Sequence, residues 1–150
     1  MTFPDEFFRG LPNSDCLSPE GYVSEAAFRF ANYELTNRED DKCELSINWN
    51  DSEDAIAKLL EQKKPGKDEF QFKIGYCTVS TSLMLSALKA FIRSGDFTYE
   101  RRPVVGDAAQ EIQDNPFHGN LLLTKNASNA TRKNVQCALA AIASDTIVRR

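Results

Sequence analysis

Apolar and polar residues alternate without a break from Cys43 to Trp49, where Cys43, Leu45, Ile47 and Trp49 are separated by Glu44, Ser46 and Asn48. This period of two predicts a strand with one buried face. The period then changes. Ile56, Leu59 and Leu60 fall at helical spacing, Asp51 is placed as an N-cap, and Glu53 and Asp54 lie in the first turn, where the helix dipole favours negative charge. Lys63-Lys64-Pro65-Gly66-Lys67 predicts the stop.

Alternation resumes at Phe70, Phe72, Ile74, Tyr76 and Thr78, a second predicted strand in which Gly75 marks a bulge or a close backbone approach. Ser80-Thr81-Ser82 offers caps for a helix from Leu83 to Ile92. Its apolar residues lie on most sides, which predicts a central helix rather than a surface one. Gly95 is its natural end. Phe97 to Val105 and Phe117 to Leu123 read as two further strands around a polar loop, Gly106 to Asn115. An alanine-rich helix from Asn129 or Thr131 to Ile147 closes the chain, with Val135, Leu139 and Ile142 on one face. Near the start, Phe7 to Pro12 is an expected edge strand, Asn13 to Glu20 is turn-rich, and Tyr22 to Phe30 suits either helix or strand. Thr36 to Lys42, including Glu39-Asp40-Asp41, is expected to be a solvated loop. The order predicts an α+β fold: one domain with a mainly antiparallel sheet of about five strands and three helices.

Composition narrows the function classes more than it selects among them. With 150 residues, 41% hydrophobic and 27% charged, the chain is long enough and apolar enough for a real core. A net charge of −4 makes nucleic-acid binding unexpected unless Arg101, Arg102, Arg132, Lys133, Arg149 and Arg150 gather into a patch. Cys16, Cys43, Cys77 and Cys137 form no Cys-x-x-Cys pair, and each is expected to be a small buried hydrophobe. Neither a signal peptide nor a membrane-spanning run is visible, so a reduced, cytoplasmic protein is expected. No cofactor or metal is expected, since a lone histidine completes no familiar ligand spacing.

Polar chemistry concentrates between Thr98 and Thr124. His118, the one histidine, shares a strand face with Asn120 and Leu122, opposite Phe117, Gly119, Leu121 and Leu123. If the second set is the core, His118 points away from it, and an imidazole there can accept or donate a proton near neutral pH. Arg101 and Arg102 fall on opposite faces of the preceding strand, so only one can share a cleft with His118. The candidate ligand-binding residues are therefore Arg101, Arg102, His118 and Asn120, with His118 the candidate catalytic group.

Arg9, then Ser80-Thr81-Ser82, then Glu100 or Glu111 resembles the order of groups in ADP-ribosyltransferases. The resemblance implies that Arg9 and a serine hold NAD while a glutamate aids transfer. The chain departs from that pattern in lacking a Glu-x-Glu or Gln-x-Glu pair, because Gln110 and Glu111 are adjacent. No phosphate-binding loop, dinucleotide fingerprint or nucleophile elbow is present.

Two functions remain. One is a non-catalytic accessory protein that binds a protein partner, such as an immunity protein, an antitoxin or a component of a larger bacterial assembly. Tyr22, Phe28, Phe30, Tyr33 and Trp49 are its candidate apolar anchors. The other is a His118-dependent enzyme acting on a phosphate-containing small molecule, which requires His118 to meet Arg9, Arg101 or Arg102 in a concave pocket.

Overall fold

Side chains on the two faces of a strand meet different partners, and here the two sets assemble two unequal cores. A computed structural model describes residues 2–36 and 38–150. Its strands are β1 (Glu6–Leu11), β2 (Lys42–Trp49), β3 (Gly75–Ser80), β4 (Phe97–Arg101), β5 (His118–Thr124) and β6 (Val148–Arg149). They form one sheet in the order β4-β5-β2-β1-β3-β6, with every neighbouring pair antiparallel. Three helices, α1 (Asp54–Leu60), α2 (Thr81–Leu88) and α3 (Asn129–Ala143), complete the α+β fold.

The larger core lies on one face. Phe7, Leu11, Leu45, Ile47, Trp49, Val79, Leu121 and Leu123 pack there against Met84 and Leu88 of α2 and Val135 and Leu139 of α3. The other face carries a small cluster in which Phe8, Phe72 and Tyr76 meet Ala55 and Leu59 of α1. That cluster covers one end only. The register therefore leaves Glu44, Ser46, His118, Asn120, Thr98 and Glu100 side by side on the remaining part of the second face.

Strands β1 and β2 pair only at Phe7↔Trp49 and Phe8↔Asn48 before they diverge. Arg9 fills the split, donating from Nε to the Ala27 carbonyl at 2.8 Å and from Nη1 to that of Ser46 at 3.0 Å. Burial holds its pKa below the usual guanidinium value. Gly119 is required by a second close approach. The Trp49 indole crosses it to donate to the Glu100 carbonyl at 3.0 Å. A Cβ at Gly119 would lie 2.2 Å from Trp49 Nε1 and 2.4 Å from that carbonyl oxygen.

Several expectations are corrected. Phe7 to Leu11 is an inner strand, between β2 and β3, because both of its backbone edges find partners. Of the second predicted strand only Gly75 onward is regular. Gly75, at φ +138, lets the Val148 carbonyl approach where a Cβ would stand 2.0 Å away, and this admits the unforeseen β6. Helix α2 stops at Leu88 and shows Leu83 and Leu85 to solvent, so it is not central. Helix α3 stops at Ala143 because Thr146 turns back to the open edge of β3, accepting from Thr78 N at 2.9 Å. Strand β4 ends at Arg101 rather than Val105. Asp51 does not cap α1; Ser52 Oγ accepts from Asp54 N at 3.2 Å, and the Asp51 carboxylate goes to Arg101. Cys16, Cys43 and Cys77 are buried as expected, whereas Cys137 is exposed, on the outer side of α3. Phe28, Phe30 and Trp49 belong to the core, which leaves Tyr22 as the well-exposed member of the proposed anchors. Among the described residues no helix is long and apolar enough to cross a membrane.

Candidate functional site

The uncovered half of the second sheet face holds a pocket of about 430 Å3, lined by Thr36, Arg38, Glu44, Arg102, Pro103, Val104, His118 and Asn120. Three strands supply its floor, and Thr36 and Arg38 supply one wall. The fixed point is Arg38, whose side chain is only 6% exposed. Its Nε and Nη2 donate to the two Asp40 oxygens at 2.7 and 3.0 Å. Nη1 donates to Glu44 at 3.2 Å and to Glu100, and Nη2 reaches the second Glu100 oxygen at 3.3 Å. A guanidinium has five N–H donors, and all five are engaged. Arg38 is thus a clamp that ties its loop to β2 and β4, with no donor left for a ligand. Its hydrogen bonds, first to Asp40 and then to Glu100, push its pKa well above the ordinary value.

Glu100 lies at the junction of these contacts. Burial pushes its carboxyl upward, but hydrogen bonds from Arg38 and Asn120 outweigh burial and hold it below the usual carboxylate range. Asn120 Nδ2 donates to Glu100 at 3.0 Å. This fixes the amide chemically, because the flipped amide would set its oxygen against the carboxylate. The consequence is an orphan. Asn120 is 1% exposed, and among the described residues its Oδ1 is the buried side-chain polar atom without a partner.

His118 lies one rung away. Its Nδ1 is 2.8 Å from the Arg102 carbonyl, which can only accept, so Nδ1 carries the proton. In the neutral ring Nε2 then keeps its lone pair, and among the described residues nothing donates to it. Burial is the main influence on the ring and lowers its pKa below 6.5. Folding therefore favours the neutral imidazole. Its contribution to stability is complete above pH 6.5 and declines as pH falls from there through the folded value. Imidazole 15N spectra are expected to show the Nδ1–H tautomer at neutral pH and a titration midpoint below 6.5; a midpoint above it would contradict this environment.

Of the residues predicted from sequence, the structure brings together His118, Asn120 and Arg102. Arg102 stands at the rim with its side chain 48% exposed, Nη1 3.7 Å from Glu100. Arg101 is directed to the opposite face, where it forks onto Asp51 at 2.6 and 2.7 Å and lies over the Phe3 ring. The group order that resembles ADP-ribosyltransferases does not converge. Arg9 is half-buried in the split between β1 and β2, spent on the Ala27 and Ser46 carbonyls, and Ser80 caps α2, accepting from Leu83 N at 3.3 Å. Glu100 on β4 is four strand spacings from β3, on the order of 19 Å. Glu111 lies in the 106–115 loop. The basic residues do not gather either: Lys133 pairs with Glu25, Arg132 donates to the Lys125 carbonyl at 3.2 Å, and Arg150 stacks on Phe70.

Arg38, Asp40 and Glu44 were not expected at a site, because the 36–42 stretch is polar throughout and carries no periodicity. The alternation that places Glu44 on the same strand face as Ser46 and Asn48 was the one available signal. No protein-family model matches the chain, and comparison with curated proteins and with solved structures gives no match.

Proposed function

We propose that this protein acts by binding a protein partner, as a non-catalytic accessory component of the immunity, antitoxin or assembly-subunit kind, through the pocketed half of the second sheet face. The orphaned Asn120 Oδ1 carries this reading. A buried acceptor without a donor costs about 1–3 kcal/mol, and a partner whose binding shifts the side chains over Oδ1 and supplies the donor recovers it. Pockets that hold part of the binding energy in unmet acceptors suit recognition, and the saturated Arg38 clamp keeps this one preformed. Four free cysteines suit a reducing compartment, and we place the protein in the cytoplasm.

One observation favours a second reading, a His118-dependent enzyme: His118 and Arg102 do meet in a concave pocket, with the His118 Nε2 lone pair available as a base. A phosphate-containing substrate would find only Arg102 incompletely engaged among the arginines here, beside two carboxylates, which is why binding is preferred. Affinity capture of the tagged chain from its source cells, with mass spectrometry, separates the two. A stoichiometric protein held by wild type and lost from folded His118→Ala and Asn120→Leu variants is the expected result. A partner retained by both variants, or none with wild type, overturns the proposal.

A further inference from the structure

The acceptors of this pocket agree in one respect: each awaits a hydrogen. Asn120 Oδ1 is buried and unpartnered. His118 Nε2 is left as an acceptor by the Nδ1–H bond to the Arg102 carbonyl. Glu44 gives Oε2 to Arg38 at 3.2 Å, and among the described residues nothing donates to its Oε1. The neighbouring donors are committed: Arg38 has no free N–H, and the Thr36 hydroxyl donates to the Tyr33 carbonyl at 2.9 Å. Around the pocket, Asp40, Glu44 and Glu100 stand against Arg38, Arg102 and Lys42, so the charges balance, and the Arg38 charge is spent on all three carboxylates.

We infer that the pocket takes a nitrogen cation, an alkylammonium or guanidinium group, and not a phosphate. A phosphate adds acceptors to acceptors and finds one incompletely engaged cation at the rim. A nitrogen cation brings N–H donors to His118 Nε2 and Glu44 Oε1, and the Glu44 carboxylate favours its charge. Asn120 Oδ1 has almost no accessible surface and is reached only if the side chains over it shift on binding. A volume of about 430 Å3 admits the head group and stem of a lysine or arginine side chain. The inference rests on the proposed binding role and names the chemistry its partner presents.

The test is a 1H–15N titration of the full chain with n-propylguanidinium, n-butylammonium and inorganic phosphate as separate probes. Saturable shifts of the Asn120 side-chain amide and the His118 ring are expected with a nitrogen cation and not with phosphate. Glu44→Gln, which turns one acceptor into a donor at nearly constant shape, is expected to weaken the cation at least tenfold. Arg102→Gln is expected to leave it as tight or tighter, whereas a phosphate site would be lost. Saturation by phosphate alone, or cation shifts unchanged in Glu44→Gln, would overturn the inference. Blocked Gly-Arg-Gly and Gly-Lys-Gly peptides binding more tightly than free arginine or lysine would assign the cation to a protein side chain, and the reverse to a small molecule. If capture depends on the pocket while no nitrogen cation binds, the inference fails and the binding role stands. Capture indifferent to the pocket removes the role itself.

Discussion

Gly119→Val is expected to leave no folded protein, and Gly119→Ala to lose about 1–3 kcal/mol, because the site has no room for a Cβ. The new atom would meet Trp49 Nε1 at 2.2 Å and the Glu100 carbonyl oxygen at 2.4 Å. Neither neighbour yields easily. The indole is fully buried, and the carbonyl belongs to the strand that β5 pairs with and accepts from that same indole. Thermal unfolding of Gly119→Ala beside Gly21→Ala checks the claim, since at Gly21 a Cβ meets nothing within 4 Å and only its positive φ resists. A cycle with Trp49→Phe is sharper still. Shrinking the indole relieves the closer of the two clashes and leaves the Glu100 carbonyl, so the double variant should be more stable than the sum of the two losses implies without reaching the stability of Trp49→Phe alone. Simple additivity would show that the indole is not what excludes the side chain.

Arg38→Ala should be the most damaging change outside the core. Removing one member of a buried ion pair costs about 3–5 kcal/mol, and the partial exposure of Asp40, Glu44 and Glu100 brings the expectation to about 2–3 kcal/mol. Arg38→Lys restores the charge but not the five-donor fork, and should recover less than half. The pH dependence identifies the cause. Glu100 and Asp40 both have lowered pKa values in the folded protein. Their stabilisation is therefore present above the ordinary carboxylate values of 4.5 and 3.8 and is lost as pH falls through the folded ones. Wild type and Arg38→Ala should differ most near neutrality and converge as pH drops below about 4. A gap that persists in acid would mean that Arg38 acts by packing alone.

The legible parts of this fold are those in which periodicity decides local structure. Residues Cys43 to Trp49 alternate because one face meets the core, and they form β2 almost as read. Leu121 and Leu123 announced the same for β5, and from them followed the outward direction of His118. Illegibility begins where a partner distant in sequence decides. Phe70 to Ile74 alternates as well as any strand, yet its pairing edge is displaced so that Phe72 can pack over Gly10. Val148 and Arg149 are too short to signal anything, and they pair only because Gly75 leaves room. At the site, His118, Asn120 and Arg102 were visible as chemistry beside an apolar strand. Arg38 was not, since its buried state depends on three carboxylates, two of them on separate strands. Asn120 had a further property that no sequence displays, an acceptor that is buried before anything fills it.

Hydrogen–deuterium exchange of the chain, free and with its captured partner, tests most directly where this molecule recognises what it binds. New protection is predicted at 38–44, 98–104 and 118–122, the segments that build the pocketed half of the sheet, with α2 and α3 unchanged. Protection confined to α2, α3 or the exposed Leu83 and Leu85 would contradict the account and move the recognition surface to the opposite face.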